Sequence, residues 1–170
     1  LHTLNIIQMI RTIHYFLDRW KEETEATLKI FRNLTDESLQ VAIPGGRTMG
    51  RLANHIVETV TEMPHNLNLP IREEYVTYDT VEELVTHYKK FADQLVAAII
   101  SYWTDETLEE EQNMYGASWK NGFSLWVLIT HQAHHRGQMT VLMRMAGLKV
   151  PGVYGPSKEE WLAWGKEALA

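Results

Sequence analysis

Four stretches of this chain repeat apolar residues at intervals of three and four, and that periodicity commits most of it to amphipathic helices. The first stretch runs from about Leu4 to Phe31 on Ile6, Ile10, Ile13, Leu17, Leu28 and Phe31. A second runs from about Thr48, its N-cap, to Glu62, with Leu52, His55, Ile56, Thr59 and Met63 on one face. Tyr78-Asp79-Thr80 opens a third, whose stripe from Val81 through Leu84, Tyr88, Phe91 and Leu95 to Ile99 ends near Tyr102. The fourth spans Phe123 to Ala146 on Leu125, Leu128, His131, His135, Leu142 and Ala146, with Gly147 placed as a C-terminal cap.

The segments between them read as breaks. Asn33 to Glu37 is a helix exit, and Ile43-Pro44-Gly45-Gly46 interrupts any helix. Pro64 and Pro70 bracket a linker. The stretch from Thr104 to Lys120 is acidic at first and lacks sustained periodicity, so it reads as a long connection with room for one helical turn. No segment shows the period-two alternation of a strand, and there is no internal repeat. Ser157 with Glu160 three residues on forms a capping box for a short last helix, which Trp161 and Trp164 are expected to dock onto the bundle. These features predict an all-α fold: a four-helix bundle with a short extra C-terminal helix, built as one domain over residues 1–170. With 170 residues and 45% hydrophobic content, such a domain can bury its core unaided.

Composition removes several functions. The chain has no cysteine, which excludes disulfides, thiolate ligands and a cysteine nucleophile, so a metal site must use histidine and carboxylates. A net charge of -6 argues against a nucleic-acid partner. No apolar run approaches the ~20 residues that span a bilayer, and the N-terminus lacks the basic, apolar, small-residue pattern of a signal peptide, so the expectation is a cytoplasmic protein with no membrane partner.

Eight histidines carry the remaining information. His2, His65 and His87 fall at a terminus, beside a linker and on a solvated helix face, and His14 reads as a partly buried, hydrogen-bonded histidine of the first helix. His131 and His135, four residues apart, project from one face and interrupt a stripe of leucines, where an unpartnered imidazole costs about 1 to 3 kcal/mol. His55 points inward from the second helix and can complete a set of three nitrogens across the bundle interior. Spacing alone does not separate His131/His135 from His131/His134.

The segment Thr130-His131-Gln132-Ala133-His134-His135-Arg136-Gly137-Gln138, followed by Leu142, Arg144 and Gly147, resembles the signature of the DinB/YfiT-like bundles. Met49-Gly50-Arg51-Leu52-Ala53-Asn54-His55-Ile56 is similar to that family's second-helix motif, and Val150-Pro151-Gly152-Val153-Tyr154-Gly155 to its closing segment. The resemblance implies that His55, His131 and His135 are the metal ligands. It also implies a homodimer, and relatives that include thiol-dependent S-transferases, an isomerase and hydrolases, in a family named for induction by DNA damage.

Three neutral histidines leave at least one coordination position open, the arrangement of a catalytic site. Imidazole ligation favours zinc or nickel. Such an ion suits hydrolysis or the activation of a low-molecular-weight thiol toward a small-molecule substrate; the alternative is a non-catalytic metal-binding, stress-induced protein. Gln132 stands where a zinc-protease helix carries its glutamate, which disfavours that chemistry. Glu58 is the nearest candidate base, and its plainer reading is a supporting or solvated residue. Arg136 and Gln138 read as contacts to neighbouring segments or a partner subunit. Trp119, Trp126, Trp161, Trp164, Tyr115 and Tyr154 read as core.

Overall fold

The structure is a computed structural model that describes residues 9–168. Four long helices form it: α1 (Ile13–Phe31), α2 (Met49–Asn66), α3 (Val81–Tyr102) and α4 (Asn121–Met145). A short α5 (Lys158–Ala163) follows. Each of α1 and α2 packs on both α3 and α4, so the helices run round the bundle in the order α1, α3, α2, α4. The consequence for function is that α2 and α4 are neighbours, with facing inner sides.

Local chemistry sets the helix starts. Thr48 accepts the Arg51 N–H at 3.1 Å, and Thr80 with Glu83 closes a capping box on α3. At α1 the helix starts later than the apolar stripe suggests. Thr12 accepts the Tyr15 N–H at 3.2 Å and Asp105 accepts the Ile13 N–H at 2.7 Å, while the Ile10 N–H is already committed to the Gly122 carbonyl at 3.0 Å. Residues 9–12 therefore lie as an extended lead-in on the first turn of α4; Leu4 and Ile6 fall outside the described residues. A Cβ at Gly122 would sit 2.1 Å from the Ile10 carbonyl oxygen, so this approach requires glycine.

Helix α2 runs past Glu62 and through Pro64 to Asn66. Proline costs one helical hydrogen bond, but Met63 and Pro64 are buried and Leu67 and Asn68 cap the closing carbonyls, so the last turn holds. Helix α4 begins at Asn121, and Gly147 takes a φ of +71 just beyond its end.

The connection read as irregular contains an antiparallel hairpin, β1 (Glu111–Met114) against β2 (Ala117–Lys120), after a 3-10 turn at Glu106–Glu109. Tyr115 and Gly116 both have positive φ, as a two-residue hairpin turn demands. Its strands are mostly polar and exposed, so no apolar alternation announces them.

One apolar core fills the bundle, with Phe16, Trp20, Phe31, Ile56, Leu84, Leu95 and Ile99 essentially inaccessible. The docking expected of Trp161 and Trp164 is not what holds α5. No α5 residue is buried, Trp164 is 58% exposed, and the two indoles contact each other. Polar anchors replace them: Arg144 pairs with Glu159, which also accepts the Val150 N–H at 3.2 Å, and Glu160 accepts the Gly152 N–H at 3.1 Å. Trp119 and Trp126 are half-buried against the core, whereas Tyr115 and Tyr154 are exposed, so the core reading fails for those two and for Trp164. No helix among the described residues is long and apolar enough to cross a membrane.

Candidate metal centre

The second turn of α2 and the middle of α4 bring three imidazoles to one point. His55 Nε2 lies 2.9 Å from His131 Nε2, and His135 Nε2 lies 3.1 Å from the same atom. All three candidate ligand atoms fall within 4.8 Å of one another. His134, left open by spacing, stays out of this cluster: it is exposed, its ring 5.0 Å from that of His135. Rotation along α4 puts His135 about 40° past His131 and His134 about 60° short of it, so it is the placement of His55 on the facing α2 that selects His135.

What each ring does with its other nitrogen decides the chemistry. His135 Nδ1 meets Gln138 Oε1 at 2.7 Å, and His55 Nδ1 meets Glu58 Oε2 at 3.4 Å. Both partners are acceptors, so both Nδ1 atoms carry the proton and both Nε2 atoms present lone pairs to the centre. His131 Nε2 can donate to one of them at most. At least one close nitrogen pair is therefore lone pair against lone pair, a contact that an electrophile between the rings would relieve.

Burial favours the uncharged form of His131 and His135. The His131 pKa is pushed down to about 4, first by desolvation and then by the neighbouring His135, His55, His134 and Arg47. Desolvation likewise lowers His135, partly opposed by its bond to Gln138. Neutral imidazole is the form that ligates metal. The set fits a divalent ion with imidazole affinity and leaves room for a further ligand.

The site faces a cavity of about 760 Å³, with Leu52, Val141 and Leu142 on its apolar side and Ile43, Gly45, Gly46 and Arg47 contributed by the loop before α2. None of the tryptophans lines it. Glu58 is engaged by Arg51 at 2.9 Å as well as by His55, which places it as a supporting residue. Gln132 is buried and accepts the Tyr88 hydroxyl at 2.9 Å rather than lining the cavity.

Arg136 is a contact residue, as its neighbouring-segment reading expects. Fully buried, it reaches Glu23 and Thr27 on α1 and the Tyr154 hydroxyl, tying the closing segment to the bundle. Gln138 has a role that the sequence reading left out, orienting His135; its position three residues on, one turn away, was the available signal. The loop Gly45-Gly46-Arg47 was legible only as a helix break.

The other histidines separate cleanly. His14 is solvent-exposed beside Asp18 at 3.2 Å rather than partly buried. His87 is half-buried and stacked on Tyr78 at 4.2 Å rather than solvated, because the chain before α3 folds back over it. His65 is exposed, and His2 lies outside the described residues.

A helical bundle whose two facing helices gather three imidazoles on an open cavity defines a class of protein able to hold a metal ion in its interior. Within that class the chain belongs to the DinB family, whose sequence model matches residues 9–167. It is 43% identical over 164 residues to the uncharacterized protein YrdA of Bacillus subtilis (strain 168), covering 94% of this chain and 98% of that one. The crystal structure of a DinB-like protein from Bacillus cereus ATCC 10987 superposes with a TM-score of 0.81 at 43% identity, over 86% of this chain and all of that one. A second DinB-like structure, YjoA of Bacillus subtilis, shares the fold at 15% identity, with a TM-score of 0.66 over 84% of this chain and 99% of its own.

Proposed function

We propose that this protein is a metal-dependent enzyme in which His55, His131 and His135 hold one divalent ion, zinc or nickel, and a small molecule binds in the adjoining cavity. The observation that carries the reading is the convergence of three Nε2 atoms with both outer Nδ1 protons already committed to Glu58 and Gln138. When bound, the ion would supply Lewis-acid activation of water or of a thiol, suiting hydrolysis or thiol-dependent S-transfer. The chain's own residues set the frame. Gln138 and Glu58 fix ring orientation, while Leu52, Val141 and Leu142 form an apolar wall. The reading includes a homodimer, as the family resemblance implies, working in the cytoplasm.

A second reading, a non-catalytic metal-binding protein, is favoured by one observation. No carboxylate lines the cavity, and Glu58 is occupied by Arg51 and His55, so the site carries no free general base.

The first test is the metal content of protein prepared without chelator, wild type against His55→Ala and His135→Ala. Near-stoichiometric metal, lost in both variants, is the expected result. Metal uptake no greater than in the variants sinks both readings. Stoichiometric metal with no turnover in thiol-transfer and hydrolysis screens leaves the second.

A further inference from the structure

Apart from the histidines and Gln138, the cavity's polar character comes from the loop before α2. That loop is closed at its base: Ala42 and Thr48 form an isolated antiparallel bridge, and the Met49 N–H donates to the Val41 carbonyl at 2.8 Å. Inside it the Gly46 N–H turns back to the Ile43 carbonyl at 2.9 Å. A Cβ on Gly46 would come within 2.5 Å of Ile43 Cγ1, so glycine lets the loop fold this tightly. Arg47, directly before the bridge, is thus presented from an anchored backbone.

Its side chain lines the same cavity as His55, His131 and His135. No carboxylate lines that cavity, and among the described residues none pairs with Arg47. In a chain with 22 acidic and 16 basic side chains, a cavity whose permanent charge is a single unpaired guanidinium is selective for anions. The first turn of α2 begins two residues later and adds positive potential of the same sign. The remaining side chains of the lining are apolar, from Leu52, Val141, Leu142 and a half-exposed Ile43.

We propose that the cavity binds a small carboxylate with an apolar body, Arg47 holding the carboxylate and Ile43, Val141 and Leu142 covering the body. This rests on reading the cavity as the active site and names the substrate class for it. A guanidinium matches a planar carboxylate with two parallel N–H donors, which lysine's point charge does not reproduce. Arg47 is then a specificity residue, deciding what binds rather than how it reacts.

Calorimetric titration with benzoate and with benzamide, its uncharged isostere, tests this on wild type, Arg47→Met and Arg47→Lys, each metal-free and zinc-loaded. Benzoate should bind more tightly than benzamide. Arg47→Met should weaken benzoate about tenfold or more and leave benzamide unchanged, with Arg47→Lys in between. Equal benzoate affinity in wild type and Arg47→Met overturns the proposal, as does no benzoate binding in either form. Zinc content measured on the same samples separates the two readings. Stoichiometric zinc with Arg47-independent benzoate binding removes the anion site and leaves the metal centre. Arg47-dependent benzoate binding in protein that takes up no zinc supports the anion site and removes the metal centre.

Discussion

The Nδ1–H of His135 donates to Gln138 Oε1 at 2.7 Å, one turn along α4, and this bond holds the His135 Nε2 lone pair toward His131. A ring without that partner is free to rotate or to change tautomer. Gln138→Ala should therefore weaken metal binding about 10- to 100-fold while leaving the fold intact, since Gln138 is exposed. Competition against a fluorescent chelator measures it, and an unchanged affinity would show that the hydrogen bond positions nothing.

Metal binding should stabilise the wild type but not His135→Leu. At a free metal concentration a hundred times Kd the gain is about 2.7 kcal/mol. His135 is 4% exposed, and its hydrogen-bond partner Gln138 is exposed and can turn to solvent, so leucine there should leave the metal-free protein about as stable. Thermal unfolding with and without zinc checks both halves, and a variant that still responds to zinc contradicts the ligand assignment.

Arg136 and Glu23 form a buried ion pair between α4 and α1, joined by the Tyr154 hydroxyl. Removing one partner strands the other charge in the core. Arg136→Met should cost about 3 to 5 kcal/mol by urea unfolding, whereas Arg136→Met combined with Glu23→Leu should recover most of it. Additive losses in the double variant would mean that the two charges do not depend on each other.

The C-terminal helix should detach in acid. Its anchor Glu159 has a pKa held down to about 2 from 4.5, chiefly by the hydrogen bond from Arg144. A carboxylate with a depressed folded pKa contributes its stability above about pH 4.5 and loses it as the pH falls toward 2. Tryptophan fluorescence, followed from pH 5 to pH 2, should change through Trp161 and Trp164. Glu159→Gln should show the detached signal already at pH 5; a pH response identical to wild type would place the anchor elsewhere.

Much of this protein was legible in one dimension because helices and their caps are local. Thr48, the Thr80/Glu83 box, the Ser157/Glu160 box and Gly147 mark boundaries by chemistry within a few residues, and the structure keeps each of them. The apolar stripes likewise placed His55, His131 and His135 on inward faces. The hairpin at Glu111–Lys120 escaped because polar, exposed strands leave no apolar pattern. The start of α1 escaped because Gly122 and Asp105, about a hundred residues away, compete for the backbone of Ile10 and Ile13.

The sequence by itself determined the helices, their inward faces and which residue types were present to meet an ion. Only tertiary structure decided that α2 and α4 lie side by side, so that His55 comes 2.9 Å from His131, that His134 is left outside the cluster, and that Arg47 shares the cavity. The physical reason is range. Propensity and capping act over one turn of chain, whereas a site is made by packing between elements far apart in sequence, and only the assembled core fixes those distances.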